Sequence, residues 1–486
     1  MDEDTPQFIA QEGIMDRSIV PEPVYDANPD LIELYYGAWQ SAYTHIFTCK
    51  GAPVETYMNE GIRINRIWIW DTCFMVMFCR YAAKHFPGIQ SLDNFYRVIH
   101  DGESMVLKVH HPDNPPLFAW TEMEYLKHTG NLERIRHILL EKQYLQKHFD
   151  FINSLIPDQP LDYGQSAVKA QYVPGKGYRW AGCPSGMDNT PRGRDDYQSI
   201  YWVDLAAQQG LSALYISRLA EVIGETGLAA TWQKKYEEVK ALVNSRFWSE
   251  ADQMYFDRYI DENLGFCKVL TPASAWPLLA EMCSPEQAAA LAEVYADPDK
   301  LGCGPVASVA ADDPAFDERG GYWRGGVWMP VVYMSVKALE KNGYPALADF
   351  ISEQMVTKIL RTYCDFAPPT YWECYNPIDN MPSTNKSGKF SRPDFCGWTA
   401  LGPISLFIEN LLCVRDVNAL TKTIRWEPRS GKRNGIRNLM LGEAKVSLIA
   451  DPERHVATVE SDSAFTLQLH HKTYAVQPGK QEFALD

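Results

Sequence analysis

Between Asp30 and about residue 414, apolar positions recur mostly at helical spacing. The stretch "LIELYYGAWQSAYTHI" places Leu31, Leu34, Tyr35, Trp39 and Tyr43 near one face. The same periodicity predicts helices at about 71–84, 91–108, 119–129, 131–154, 202–224, 227–247, 272–282, 285–296, 328–342, 345–363 and 398–414. Ser91, Thr271 before Pro272, and Ser284 before Pro285 and Glu286 are expected N-terminal caps. Gly224, Gly227 and Gly343 fall where helices should stop.

These helices are joined alternately by tight links ("TGN" at 129–131, "NGYP" at 342–345) and by long loops. The loops cover 49–70, 109–118, 156–200, 249–271, 297–327 and 364–397. Loops of that length are functional or disordered, and these carry Trp, Arg, Gly, Asp and Glu rather than low-complexity sequence. About twelve helices connected in this way read as six hairpins, which can close into an α/α toroid with the long loops at one mouth. After about residue 415 the pattern changes to alternation, in "KTIRWEP", "KVSLIADPERHVATVES" and "AFTLQLHHKTYAV". The expected organisation is therefore a polar N-terminal arm (1–25), a mainly α toroidal domain (26–414) and a C-terminal β-rich segment (415–486) packed on it. No internal sequence repeat is strong enough to indicate duplication.

Composition narrows the function. The 486 residues include 14 Trp and 26 Tyr, and 12% of the chain is aromatic. Such rings suit a core, and they also suit sugars, whose apolar faces pack on an aromatic plane while the indole N–H or phenol O–H stays free. A net charge of −16 disfavours nucleic acid and anionic membrane surfaces. No apolar run reaches membrane-spanning length; "IWIWDTCFMVMF" is too short and carries Asp71. Eleven scattered cysteines read as reduced, buried thiols. "MDEDTPQF" lacks the features of a signal peptide, so a cytoplasmic location is expected unless a signal was trimmed. No HExxH, GxSxG, P-loop or dinucleotide fingerprint is present, and no metal or cofactor is expected.

Candidate chemistry lies in five stretches: "NRIWIWDTCF" (65–74), "HHPDNPPLFAWTEME" (110–124), "CPSGMDNTPRGR" (183–194), "GGYWRGGVWMP" (320–330) and "PPTYWECYNP" (368–377), the last followed by "FCGWTAL" (395–401). A glycosidic bond is commonly cleaved by two carboxyl groups. Asp188 and Glu373 are the best candidates, each in a long loop and without a helical partner. The alternative for either is a loop cap or a surface charge. Asp71 is either an N-cap for "TCF" or a ligand for sugar hydroxyls. Arg324 could pair with an acid or meet a substrate oxygen, and Arg192 invites the same reading, with a surface salt bridge as the alternative. Trp68, Trp70, Trp120, Trp323, Trp328, Trp372 and Trp398 are core residues or the walls of a sugar-stacking cavity, with Tyr375 beside Glu373. His110–His111 read as polar loop structure rather than a metal site.

The ordered set "WIWDTCF", "NPPLFAW", "SGMDNTPR", "GYWRGGVWMP" and "YWECYNP…FCGWTAL" resembles the motif string of six-hairpin glycosidases related to glycoside hydrolase family 63 and the trehalases of family 37, including mannosylglycerate and glucosylglycerate hydrolases. The likeness spans roughly residues 30–413. It implies an (α/α)6 barrel that hydrolyses an α-linked glucoside, or a mannoside, with inversion. It further implies Asp188 as general acid and Glu373 as general base. Asp71 and Arg324 would line the glycon subsite, with Trp70, Trp120, Trp323 and Trp328 as its walls. The departures are Cys183–Pro184 where the family more often has an acid, and Asn114 where a Gln is frequent.

Inversion would set the two carboxyls about 6.5–9.5 Å apart, leaving room for water. The expected substrate is a small oligosaccharide or a glycosylated small molecule. A basic residue in the outer subsite would favour an anionic aglycone. The competing readings are a phosphorylase or lyase on the same barrel, and a non-catalytic carbohydrate-binding protein.

Overall fold

A computed structural model describes residues 7–485 apart from 62, 104, 105 and 165. Its helices are α1 (Asp30–Thr44), α2 (Ile69–Cys79), α3 (Gly88–Asp101), α4 (Phe118–Thr129), α5 (Leu132–Arg136), α6 (Tyr144–Ser154), α7 (Val203–Val222), α8 (Thr226–Phe247), α9 (Trp276–Leu279), α10 (Pro285–Ala296), α11 (Met329–Lys341) and α12 (Pro345–Cys364). A further helix with wider, π-type turns runs over Gly402–Leu411.

Apolarity sorts these helices into two layers. Every residue of α2 is buried, as is nearly all of α7, α11 and Gly402–Leu411. A helix apolar on all sides has to lie inside. By contrast α3, α8 and α12 bury one face and keep the other wet. The inner helices neighbour one another in order: α2 on α4, α4 on α7, α7 on α9, α9 on α11, with residues 399–411 between α11 and α2. Outside them α3 packs on α2, α6 and α8 on α7, and α12 on α11 and Gly402–Leu411. This neighbour order fits an (α/α)6 toroid.

Local chemistry sets several boundaries. Ser284 forms a full capping box with Gln287, and the Thr271 side chain accepts from the Ala273 N–H. Other expectations need correction. Ser91 lies inside α3, not at its cap; its hydroxyl donates to the Pro87 carbonyl and accepts from the Met58 N–H. Gly227 lies in the first turn of α8 rather than ending a helix. The single helix expected over 131–154 is interrupted by a π-type turn at His137–Glu141 and by Gln143 at φ 56°, a left-handed residue that no continuous α-helix accommodates.

The β-rich segment forms two sheets. The five-stranded one runs in the order Glu22–Tyr25, Asn434–Leu441, Ala444–Asp451, Val456–Ser461 and Gly479–Ala484, antiparallel throughout. Residues 22–25, expected within a free arm, are thus an edge strand, with Val24 opposite Gly435. The four-stranded sheet pairs Thr423–Trp426 parallel to Phe465–Leu469. This segment closes the C-terminal end of α4, where Ala419 N–H donates to the Lys127 carbonyl and Gly442 N–H to that of His128. Those carbonyls would otherwise lack partners at the helix end. Arg80, Lys127, Lys337 and Lys341 gather near the same end of the inner helices, where cations suit the helix dipole. The opposite, N-terminal end is where the long loops converge.

Candidate active site

Trp68 is the N-cap of α2, Asp71 is its third residue, and Trp328 is the N-cap of α11. Asp71 therefore lies inside the helix rather than capping it. Around these helix starts the loops enclose a cavity of about 190 Å³. Trp68, Trp70, Trp323, Trp328 and Trp398 line it together with Asp71, Asp188 and Glu373. The Trp323 and Trp328 rings stack 4.2 Å apart at 8°, and the Trp328 indole N–H donates to the Tyr322 carbonyl.

The loop that carries Asp188 is held tightly. Gly182 lies so close to the Asp188 carbonyl that a Cβ there would sit 2.2 Å from its oxygen. Gly186, at φ 82°, lets the backbone lie on the Trp70 ring. Asn114 Nδ2 donates to the Pro184 carbonyl at 2.7 Å. Asn189 joins this loop to the next: its Nδ2 donates to the Gly321 carbonyl and its Oδ1 accepts from the Trp323 N–H. Asp188 Oδ2 accepts a 2.9 Å hydrogen bond from Lys386 Nζ.

Glu373 is buried. Its Oε1 accepts from Tyr322 Oη at 2.9 Å, and its carbonyl accepts from the Trp398 indole at 2.7 Å. Burial pushes the Glu373 carboxyl upward, while Arg392 and the Tyr322 hydrogen bond pull it back. Asp71 is held well above the usual carboxylate range by burial and then by the neighbouring Glu60. The imidazoles of His110 and His111, which also line the cavity, are pushed down to about 4 and about 3 by burial, and so are neutral near pH 7.

Four buried polar atoms on lining residues have no protein partner: Trp70 Nε1, Asn114 Oδ1, His111 Nδ1 and Arg66 Nε. Orphaned donors and acceptors around a void are what a hydroxyl-rich ligand would satisfy. No group of three or more potential metal ligands occurs among the described residues.

A profile of the mannosylglycerate hydrolase MGH1-like glycoside hydrolase domain matches residues 114–392. The chain belongs to this family. It is a glycoside hydrolase. The matched segment includes Asn114, Asp188, Tyr322, Glu373 and Arg392. Over 97% of its length the enzyme is 23% identical to an uncharacterized protein of Borreliella burgdorferi, all of which is covered. It is 27% identical to the mannosyl-oligosaccharide glucosidase of Saccharomyces cerevisiae over 46% of this chain, spanning only 29% of that protein. Among solved structures it is similar to a family 63 mannosylglycerate hydrolase from Thermus thermophilus in complex with Tris and D-glycerate. That likeness has a TM-score of 0.56 at 15% identity, covering 76% of this chain and 99% of that one.

Five residues expected at the enzyme's substrate site stand outside the cavity. Arg192 is fully buried and ion-paired to both Asp204 and Asp257, with its guanidinium 4.1 Å over the Trp202 ring. A fork saturated by two carboxylates has no donors left for a sugar. Arg324 turns outward, donating to the Asn189 carbonyl and pairing with Asp195. Trp120 packs on Phe74 and Tyr333, towards the far end of the helices. Trp372 packs between Phe366 and Phe390, and Tyr375 Oη accepts from the Trp372 N–H. Conversely, Arg63, Arg66, Tyr322 and Arg392 line the cavity without having been singled out. Tyr322 was legible in principle, being part of "GGYWRGG".

No helix among the described residues is long and apolar enough to cross a membrane.

Proposed function

We propose that this enzyme is an inverting hydrolase of a small α-linked glucoside or mannoside, with Asp188 as general acid and Glu373 as general base. In this reading residues 26–414 form an (α/α)6 toroid and residues 415–486 a β-rich segment against it. The observation that carries the proposal is that Asp188 and Glu373 share one cavity walled by five indoles. At about 190 Å³ it is smaller than the roughly 300–1,000 Å³ of common ligand pockets, in keeping with a short substrate rather than a polymer.

The two carboxyls have separate partners, Lys386 for Asp188 and Tyr322 for Glu373. That suits independent roles on two sides of a sugar better than a shared proton. Asp188, protonated, gives its proton to the glycosidic oxygen as the bond to the anomeric carbon breaks. Water attacks that carbon from the opposite face and loses a proton to Glu373. The upward shift that burial gives Glu373 strengthens it as an acceptor for the water proton. Asp71, whose carboxyl burial shifts well upward, can in its protonated form donate one hydrogen bond and accept another from adjacent sugar hydroxyls.

The leaving group is read as a small anion. Arg63, Arg66 and Arg392 line the cavity, and Arg392 also attracts the Glu373 carboxylate. Guanidiniums gathered at a binding cavity favour a carboxylate or phosphate. The D-glycerate in the similar Thermus thermophilus structure supports the same choice.

The test is incubation with α-linked gluco- and manno-disaccharides and α-glycosylglycerates, following the first-released anomer by proton NMR. Initial release of the β-anomer is expected. Initial release of the α-anomer overturns inversion, and a requirement for inorganic phosphate would indicate a phosphorylase.

A further inference from the structure

The loop that carries Asp188 and the loop that carries Tyr322 meet at one side chain. Asn189 directly follows Asp188, and its amide brackets Tyr322. Nδ2 donates to the Gly321 carbonyl at 3.0 Å, and Oδ1 accepts from the Trp323 N–H at 2.8 Å. A backbone N–H only donates and a carbonyl only accepts, so the two contacts fix which end of the amide is which. Asn189 thereby ties down the peptide groups on both sides of Tyr322.

Tyr322 needs such support. Its φ is 67°, in the left-handed region, which a bulky residue occupies only where its surroundings impose it. Two further bonds fix its own backbone: its N–H donates to the Thr384 carbonyl at 2.7 Å, and its carbonyl accepts from the Trp328 indole at 3.1 Å. This unusual conformation decides where the phenol ends, with Oη 2.9 Å from Glu373 Oε1. The backbone of Glu373 is anchored elsewhere, its N–H on the Arg392 carbonyl and its own carbonyl on the Trp398 indole. Tyr322 therefore reaches a fixed base only while its own backbone keeps the left-handed turn.

We infer that Asn189 is a positioning residue: by bracketing Tyr322 it keeps the Tyr322 hydroxyl on Glu373 and holds the base in register with the acid beside it. The inference rests on the hydrolase reading above. Asn189 is uncharged and makes no contact with the Glu373 carboxyl among the described hydrogen bonds, so its effect on the base passes through Tyr322. Burial raises the Glu373 carboxyl, Arg392 and the Tyr322 hydroxyl lower it, and Asp188 raises it; Asp71 is the other acid that Glu373 influences across the cavity. Of these, the Tyr322 hydroxyl is the one that Asn189 controls.

The test compares the full-length enzyme with Asn189→Ala, Tyr322→Phe and the double variant. The substrates are α-glucosyl- and α-mannosyl-D-glycerate and the two corresponding α-glycosyl fluorides. Losing a hydrogen bond to the ionised carboxylate moves the acidic limb of kcat/KM upward, by about one pH unit. Asn189→Ala should move it in the same direction as Tyr322→Phe, and the double variant should move it no further than Tyr322→Phe alone. Fluoride hydrolysis by Asn189→Ala should fall by about ten- to a hundredfold, because a misplaced base hinders attack by water whatever the leaving group. A side chain that merely staples two loops would lower activity without moving the limb. One that acts only through its neighbour Asp188 would spare the fluorides. Either result overturns the inference, as does a limb shift that adds to that of Tyr322→Phe. Asn189→Ser, too short to span both peptide groups, is measured alongside, with thermal melts, so that a poorly folded alanine variant does not decide the outcome. If the wild-type enzyme hydrolyses none of the four substrates, the hydrolase reading itself fails and the role of Asn189 with it.

Discussion

Tyr322 Oη donates a 2.9 Å hydrogen bond to Glu373 Oε1. This bond stabilises the ionised carboxylate and opposes the upward push of burial. As a base, Glu373 must be ionised, so activity rises as pH passes upward through its titration. The acidic limb of kcat/KM should therefore fall above the ordinary glutamate value of about 4.3. Tyr322→Phe removes the hydrogen bond, and the limb should move to higher pH still. A pH–rate profile checks this; an unmoved limb would mean that another group controls it.

The two proposed carboxyl roles differ in what rescues them. Asp188→Asn and Glu373→Gln should each lower turnover of an unactivated glycoside by about 10²–10⁴-fold or more. A glycosyl fluoride needs no protonation of its leaving group. Asp188→Asn should retain substantial fluoride hydrolysis, whereas Glu373→Gln should not. Fluoride release by both variants, followed with an ion electrode, separates the assignments. Equal loss in both would contradict them.

Arg192 is expected to matter for stability and loop placement rather than for substrate contact. It donates four hydrogen bonds at 2.6–2.9 Å to Asp204 and Asp257, which belong to α7 and the strand Asp257–Tyr259. Arg192→Leu leaves two carboxylates buried without a counter-charge, at a cost of about 3–5 kcal/mol. Chemical denaturation should show that loss. Asp204→Asn together with Asp257→Asn in the Arg192→Leu background should recover part of it.

Asp71 links stability to pH. In the unfolded chain an aspartate ionises above about pH 3.9, whereas in the folded enzyme Asp71 stays protonated well beyond that. The unfolded state therefore releases a proton that the folded state keeps, and stability declines as pH rises through this window. Asp71→Asn removes the term. It should raise Tm relative to wild type at pH 7 and lose that advantage near pH 3, while KM for the glycon changes. Thermal melts at the two pH values decide it.

Most helix positions and the change to alternation after residue 415 were determined by the sequence itself, because periodicity, caps and turn residues act over a few neighbours; the break at His137–Gln143 was not. Ser284 with Gln287 and Thr271 with Ala273 behaved as their local chemistry requires. Asp188 and Glu373 stand out in the sequence as acids in stiff aromatic loops, and the fold brings both to one cavity. What the tertiary structure alone decided was direction and partnership. Trp68 and Trp120 look alike in the chain, yet one lines the cavity and the other faces the far end of the helices. Arg192 and Arg324 sit in motifs that suggest substrate contact, but Asp204, Asp257 and Asp195 take them up instead. Lys386 carries no signal at all until the Thr384–Phe390 hairpin sets it on Asp188. Charges separated by tens to hundreds of residues find their partners only when packing brings the loops together, and no local pattern records which partner that will be.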